Sequence, residues 1–171
     1  MKKLLFFGFF ALLLIGCAKK QIISGGGEVM GAAGGGQEKV PPQSIKEPSV
    51  RHSEWEALPQ LAMVHFDFDK SELKPEDREI LKKNADYLQG QSDITILVEG
   101  HCDEKGTVEY NLALGQRRAT AVREYYGYLG IALNRIATIS YGKEKPLDPG
   151  HDEAAWAKNR RAETKISKGG Q

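Results

Sequence analysis

The sequence predicts a two-layer α+β sandwich, in which helices cover one face of a mixed sheet of about four strands. Segments with a two-residue hydrophobic period alternate along the chain with segments of three- and four-residue period. Their order is strand, helix, strand, helix, strand, helix, strand, and all of them fall within residues 59–168. The composition is that of a globular protein, with 40% hydrophobic and 27% charged residues. A Gly- and Pro-rich segment precedes this domain.

The individual elements follow from periodicity and from residues that begin or end helices. Pro75 suits the first turn of a helix, acidic residues follow it, and Gly90 ends the helix. Gly130 ends the longest helix in the same way. Strands are predicted over residues 64–68, 94–99, 136–141 and 161–167, and helices over 75–89, 108–129 and 152–159. In the first strand, Val64, Phe66 and Phe68 are expected on one apolar face.

Residues 1–16 are predicted to be a signal peptide. A short basic segment precedes an apolar run over 4–15, which is shorter than the roughly 20 residues that a membrane-spanning helix needs. The run ends in Leu14-Ile15-Gly16-Cys17, which resembles the lipobox of bacterial lipoproteins. The resemblance implies cleavage before Cys17, diacylglycerol on its sulfur and acylation of the new N-terminus. The alternative is an ordinary signal peptide with an incidental cysteine, but ordinary cleavage sites prefer a small residue where Leu14 stands.

Residues 17–58 are predicted to be a lipidated cysteine followed by a flexible tether. Seven glycines lie between Gly25 and Gly36, prolines follow, and no hydrophobic period is sustained. A flexible chain of this length spans on the order of 35 Å. The residue after Cys17 is Ala18. Bacterial lipoproteins with an Asp there tend to stay at the inner membrane, so the resemblance implies the outer membrane, with the domain facing the periplasm.

Charge excludes one class of function. The chain has 24 Lys and Arg residues against 23 Asp and Glu residues. Such a balance offers no basic field for nucleic acid, so we expect no nucleic-acid partner. Without residues 1–16 the chain loses two lysines and carries a formal charge of −1 (22 basic, 23 acidic). The membrane anchor is therefore expected to be the lipid rather than attraction to anionic headgroups.

Polar segments cluster where the predicted strands end, which is where binding sites usually lie. They include the stretches over 66–70, 99–106, 110–119 and 159–162. These stretches resemble the OmpA-like peptidoglycan-binding domain of the peptidoglycan-associated lipoproteins, over about residues 60–168. The family's wall-binding motif runs Asp, ten residues, Leu-Ser, two residues, Arg-Ala, two residues, Val. It falls here on Asp103, Leu114, Arg118, Ala119 and Val122, with Gly115 at the serine position.

The resemblance implies that Asp103 and Arg118 hold the free end of meso-diaminopimelate in the wall's stem peptide. That end carries one ammonium and one carboxylate. Arg118 offers a planar fork for the carboxylate, and Asp103 can accept hydrogen bonds from the ammonium. Asn111 and Leu114 precede Arg118 by seven and four residues, so they share its helix face.

The resemblance also implies secondary contacts and partners. Asp67 or Asp69, at the end of the first strand, is expected to reach the stem peptide or to brace the loop. The implied partners are peptidoglycan, TolB and other Tol proteins, and the implied role is outer-membrane integrity during cell division. No cofactor is expected beyond the lipid on Cys17. Gly115 is expected to remove a local helix bond rather than a ligand contact.

Some of these residues suggest catalysis or metal binding at first sight. Acidic pairs such as Asp103 and Glu104 suggest a glycosidase, but nothing marks one carboxyl as a proton donor, so no catalytic residue and no enzyme is predicted. No metal site is predicted, because adjacent residues from His101 onward cannot converge on one ion. His101 is expected to be a hydrogen-bonded loop residue. Arg160 and Arg161 either bind ligand or, as we favour, form ion pairs with nearby carboxylates.

Cys102 has two alternatives. If it is buried, it acts as a small apolar residue. If it is exposed, it is a free thiol in an oxidising compartment. A disulfide with Cys17 is possible in principle, but lipidation is the better use of Cys17.

Overall fold

The computed structural model describes residues 46–51 and 54–168. The predicted signal peptide, Cys17 and most of the predicted tether lie outside the described residues. None of the described helices has both the length and the apolar character needed to cross a membrane. The strands are β1 (Glu56–Ala57), β2 (Val64–His65), β3 (Ile94–His101), β4 (Ile136–Gly142) and β5 (Arg161–Lys168), and the helices are α1 (Pro75–Gln89), α2 (Val108–Tyr128) and α3 (Glu153–Asn159). A single 3-10 turn, Leu133–Arg135, precedes β4.

The strands form one mixed sheet, which confirms the predicted fold class. Its order is β1-β5-β3-β4, with β2 also paired to β5. β3 and β4 run parallel, and β5 runs antiparallel to β3, β1 and β2. The parallel pair requires a crossover, and α2 supplies it. β1 was not predicted; it lies inside the segment predicted as tether and pairs with Ile166 and Lys165 of β5.

The core lies between the sheet and the two longer helices. Ile94, Ile96 and Val98 alternate along β3 toward this core, as a two-residue period requires. Tyr126 of α2 is fully buried in it, and its hydroxyl shares a hydrogen bond of 2.8 Å with Thr164. Burial raises the pKa of Tyr126 to about 12. The other buried members include Leu81, Ala85 and Leu88 of α1 with Ala119 and Val122 of α2.

The first predicted strand is shorter than expected. β2 ends at His65, although the amide of Phe66 still donates to the carbonyl of Arg160 at 2.9 Å. Phe68 is 57% exposed, so its expected place on the apolar face is wrong. The physical reason is a turn: the amide of Lys70 bonds back to the carbonyl of Asp67, and Asp69 has a positive φ of 58°.

α2 approaches the sheet unusually closely at two glycines. A Cβ on Gly115 would collide with the hydroxyl of Ser140 and lie 2.9 Å from the carbonyl oxygen of Gly100. A Cβ on Gly100 would collide with the backbone of Gly115. Position 115 is therefore a glycine because α2 and the sheet are in close contact there. The sequence had suggested only the loss of a local helix bond. The close contact brings the first half of α2 against the end of β3.

Candidate functional site

A pocket of about 160 Å³ opens where β3 ends and α2 begins. We call it the Asp103 pocket. It brings together five of the six residues predicted as ligand contacts; only Asp67 is not part of its wall. Its lining residues are Phe68, Asp69, Cys102, Asp103, Lys105, Gly106, Tyr110, Asn111, Leu114 and Arg118.

Arg118 forms the base of the Asp103 pocket and is fully buried. Its guanidinium donates to three backbone carbonyls: Nε to Lys70 at 2.8 Å, Nη1 to His101 at 2.7 Å and Nη2 to Asp67 at 3.2 Å. Burial lowers the pKa of Arg118, while Cys102 and Asp103 act in the opposite direction. A guanidinium has five N–H groups, so two keep no partner among the described residues. The backbone therefore fixes the fork before any ligand arrives.

Asp103 is held from the other side by Arg160. Asp103 Oδ2 lies 3.2 Å from Arg160 Nη1, and Oδ1 accepts from the amide of Lys105 at 3.1 Å. Arg160 also donates to the carbonyl of Phe66 at 3.2 Å and to Glu153 at 2.6 Å. The side chains of the pair are only 6% and 8% exposed. The predicted ion pairing of Arg160 is thus confirmed.

Asn111 and Leu114 form part of the pocket wall. Asn111 Nδ2 donates to the carbonyls of Lys105 at 2.8 Å and Thr107 at 3.1 Å, which fastens the loop after β3 to α2. Thr107 caps α2 by accepting from the amide of Tyr110. Leu114 is buried and supplies an apolar side to the pocket.

The two acidic residues after β2, Asp67 and Asp69, differ in where their carboxylates are directed. The carboxylate of Asp67 is half exposed and pairs with Lys70 at 3.2 Å, while its carbonyl holds Arg118. Asp69 lies at the pocket and accepts a hydrogen bond from the hydroxyl of Tyr110. That hydrogen bond raises the pKa of Tyr110. Asp67 therefore acts through its backbone, and Asp69 presents its carboxylate at the pocket edge.

Sequence reasoning did not single out the aromatic and cationic rim of the pocket. Phe68 and Tyr110 are large, exposed side chains on the lining. Lys105 Nζ lies 3.7 Å from the ring centre of Trp156 and 5.3 Å from that of Phe68. No sequence signal marked Phe68 as part of the rim, because it continues the apolar alternation of Val64 and Phe66.

Two further expectations at the end of β3 are resolved. Cys102 is buried, its thiol donates to the carbonyl of Asn111 at 3.3 Å, and burial raises its pKa to about 11. It therefore behaves as the small apolar residue of the first alternative. The expectation for His101 is wrong: it is the last residue of β3, it is buried, and its ring nitrogens have no hydrogen-bond partner among the described residues.

Comparison with known proteins identifies the family. The OmpA family model matches residues 65–160, which is more than half of the chain. The chain belongs to the OmpA family. Solved structures agree: the periplasmic domain of Helicobacter pylori MotB has a TM-score of 0.57 at 20% identity, covers 69% of this chain and 83% of that chain, and shows the shared fold.

More similar relatives carry a more specific name. The peptidoglycan-associated lipoprotein of Pseudomonas aeruginosa is 47% identical over 109 residues, and that of Haemophilus influenzae is 52% identical over 99 residues. The matches cover 64% and 58% of this chain, and the chain spans 64% and 65% of the length of these relatives. The crystal structure of the Burkholderia pseudomallei peptidoglycan-associated lipoprotein has a TM-score of 0.60 at 46% identity, over 61% of this chain and 89% of that chain. The resemblance predicted from the sequence is confirmed.

Proposed function

We propose that this protein binds peptidoglycan non-covalently through meso-diaminopimelate and so attaches the outer membrane to the wall. The observation that carries the proposal is that Asp103 and Arg118 meet in one small pocket of an OmpA-family domain. Its volume of about 160 Å³ is well below the roughly 300 Å³ at which small-molecule sites usually begin. That size suits the amino-acid end of one side chain better than a sugar.

The charges of the pocket match that end of diaminopimelate. The two remaining N–H groups of Arg118 suit its carboxylate, which is the geometry at which Arg is most effective. A carboxylate has about four acceptor positions, so Asp103 can accept from the ligand's ammonium while it stays bonded to Arg160 and Lys105. Asp69 and Asn111 complete the proposed contacts at the edge, and Leu114 packs against the methylene chain.

The rest of the proposal concerns attachment and partners. Lipid on Cys17 would anchor the chain in the outer membrane with the domain in the periplasm, and the part of the predicted tether that precedes β1 would span the gap. The resemblance to peptidoglycan-associated lipoproteins supports TolB and other Tol proteins as partners in envelope constriction. We propose binding without cleavage, in line with relatives that are named peptidoglycan-associated lipoproteins.

Sacculi of two chemistries test the ligand. The full-length chain, purified in detergent, should co-sediment with sacculi whose third stem residue is meso-diaminopimelate. It should not co-sediment with sacculi that carry lysine there, because lysine has the ammonium but lacks the terminal carboxylate. Equal binding to both wall types would contradict recognition of the zwitterion.

Conservative variants test the residues. Asp103→Asn and Arg118→Lys keep size and polarity, and each should weaken sacculus binding at least tenfold, on the order of one charge-assisted hydrogen bond lost. Asp86→Asn, at an exposed position of α1, is the matched control and should bind normally. Thermal unfolding of each variant separates loss of binding from loss of fold. Undiminished binding by both folded variants would contradict these contacts and would indicate that the ligand binds at the rim formed by Phe68 and Tyr110.

A further inference from the structure

The face of the sheet directed away from the helices carries a charged cluster that the Asp103 pocket does not use. Glu99 and His101 alternate on β3, facing away from the helices, and Glu163 lies directly opposite Glu99 on β5. One ligand atom from each of the three residues lies within 4.8 Å of the others. His101 Nε2 and Glu99 Oε2 are 3.6 Å apart. Two neighbouring strands thus bring one imidazole and two carboxylates to a common point.

His101 is the unexplained member of this cluster. It is 1% exposed, and its ring stacks on Tyr141 with a centroid distance of 5.6 Å. Neither ring nitrogen has a hydrogen-bond partner among the residues that the structure describes. A buried polar group without a hydrogen-bond partner is destabilising, so such a group calls for a ligand. The imidazole is directed at the carboxylates, where a cation would meet all three groups.

Lys165 partly fills the role of that cation. Its ammonium lies 2.8 Å from Glu99 Oε2 and 3.9 Å from Glu163 Oε2. It bonds to the carboxylates, whereas His101 approaches them only to 3.6 Å, beyond hydrogen-bond distance. The Lys165 side chain is 23% exposed, whereas that of Glu99 is 5% exposed. The lysine can therefore withdraw into solvent while the carboxylate stays in place.

We propose that Glu99, His101 and Glu163 form a binding site for a divalent transition-metal ion of the zinc type. Zinc binds imidazole nitrogen and carboxylate oxygen at about 2.0–2.2 Å, so two ligands in a tetrahedral arrangement stand about 3.4 Å apart. The observed 3.6 Å between His101 Nε2 and Glu99 Oε2 needs almost no adjustment. Water would supply the fourth ligand. Calcium and magnesium suit this set poorly, because they favour six or more oxygen ligands and avoid imidazole.

Arg161 prepares Glu163 for this role. Its Nε lies 2.6 Å from Glu163 Oε1, which leaves Oε2 directed toward Lys165 and the cluster. An outer contact of this kind orients a metal ligand and fixes which oxygen binds. The carboxylate groups of Glu99 and Glu163 would bind the ion in place of Lys165. The ion and the ammonium therefore compete for one place.

Calorimetric titration of the full-length protein in detergent with zinc chloride tests the site. The wild-type chain should bind one equivalent. Glu163→Gln, at a partly exposed position, should weaken binding at least tenfold, because even outer contacts of metal sites are worth about 10–100-fold in affinity. Lys165→Met should strengthen binding, because the competing ammonium is gone. Lys168→Met, on the same strand and exposed, is the matched control and should bind zinc as the wild type does.

The two variants shift affinity in opposite directions, so a general loss of folding cannot imitate the result. Lack of zinc binding by the wild type, or equal affinity in wild type, Glu163→Gln and Lys165→Met, would overturn the site. Cobalt(II) gives an independent readout. Visible bands of a tetrahedral nitrogen and oxygen site support it, whereas a sulfur-to-cobalt charge-transfer band would place the ion on a cysteine and overturn it.

Discussion

The ion pair between Asp103 and Arg160 offers a direct test of how the pocket is built. Arg160→Met keeps most of the side-chain volume but removes the charge beside Asp103. Because the two side chains are 8% and 6% exposed, Asp103 would be left as a buried carboxylate with one amide donor, that of Lys105. The loss extends further, since Arg160 also bonds to the carbonyl of Phe66 and to Glu153.

The expected loss in the free energy of unfolding distinguishes a buried ion pair from a surface ion pair. Removing one partner of a buried ion pair costs about 3–5 kcal/mol, whereas exposed pairs contribute about 0–1 kcal/mol. With a urea slope of about 2 kcal/mol per molar, the midpoint of unfolding should fall by roughly 2 M. Binding to sacculi should weaken as well, because Asp103 loses the contact that orients it.

Urea unfolding of Arg160→Met, Asp103→Asn and the double variant measures this. The double variant should be less destabilised than the sum of the two single variants, because it no longer contains an unpaired buried charge. A loss below 1 kcal/mol in Arg160→Met, with additive effects in the double variant, would refute the buried-pair reasoning. Arg135→Met, at a partly buried arginine that donates only to backbone carbonyls, controls for loss of an arginine as such.

Three further predictions follow from packing and titration. Gly115→Ala should lower the free energy of unfolding by about 1–3 kcal/mol, measured in urea, and Ser140→Gly should recover part of the loss by freeing the space that the new Cβ needs. Because the pKa of Tyr126 rises from 10.0 to about 12 on folding, its contribution to stability is complete below pH 10 and is lost as the pH rises toward 12. Tyr126→Phe should therefore flatten the stability curve in that alkaline range; an unchanged slope would contradict this assignment. Asn111→Ala should increase hydrogen exchange of the amides in residues 104–107, since Asn111 fastens that loop.

Much of the fold was predictable because local signals and tertiary packing agree. The periodicity of α1, α2 and β3 placed them within a few residues, since each buries one continuous apolar face. β1 was not predictable, because two exposed residues carry no periodic signal and pair only because β5 lies beside them. Phe68 was misplaced for the converse reason: an alternating pattern continued past the point where Asp67 and Lys70 turn the chain.

The candidate site, too, was predictable only in part. Spacing along α2 was enough to place Asn111, Leu114 and Arg118 on one face, because a helix has a fixed period. The partner of Asp103 was harder to predict, since Arg160 lies 57 residues away along the chain. The cluster of Glu99, His101 and Glu163 depends on the register between β3 and β5, which no local pattern specifies.

The Asp103 pocket and the stability of the domain rest on the same contacts. Arg118, the proposed partner of the ligand's carboxylate, donates to three backbone carbonyls from two segments of the chain. It therefore also holds the turn after β2 to the end of β3. Asp103, through Arg160, ties the loop after β3 to α3 and to Phe66. A load applied to a ligand in this pocket would therefore pass directly into the central strand and the backbone around it. A site on a mobile loop would yield before its anchor, whereas this arrangement suits the proposed attachment to the wall.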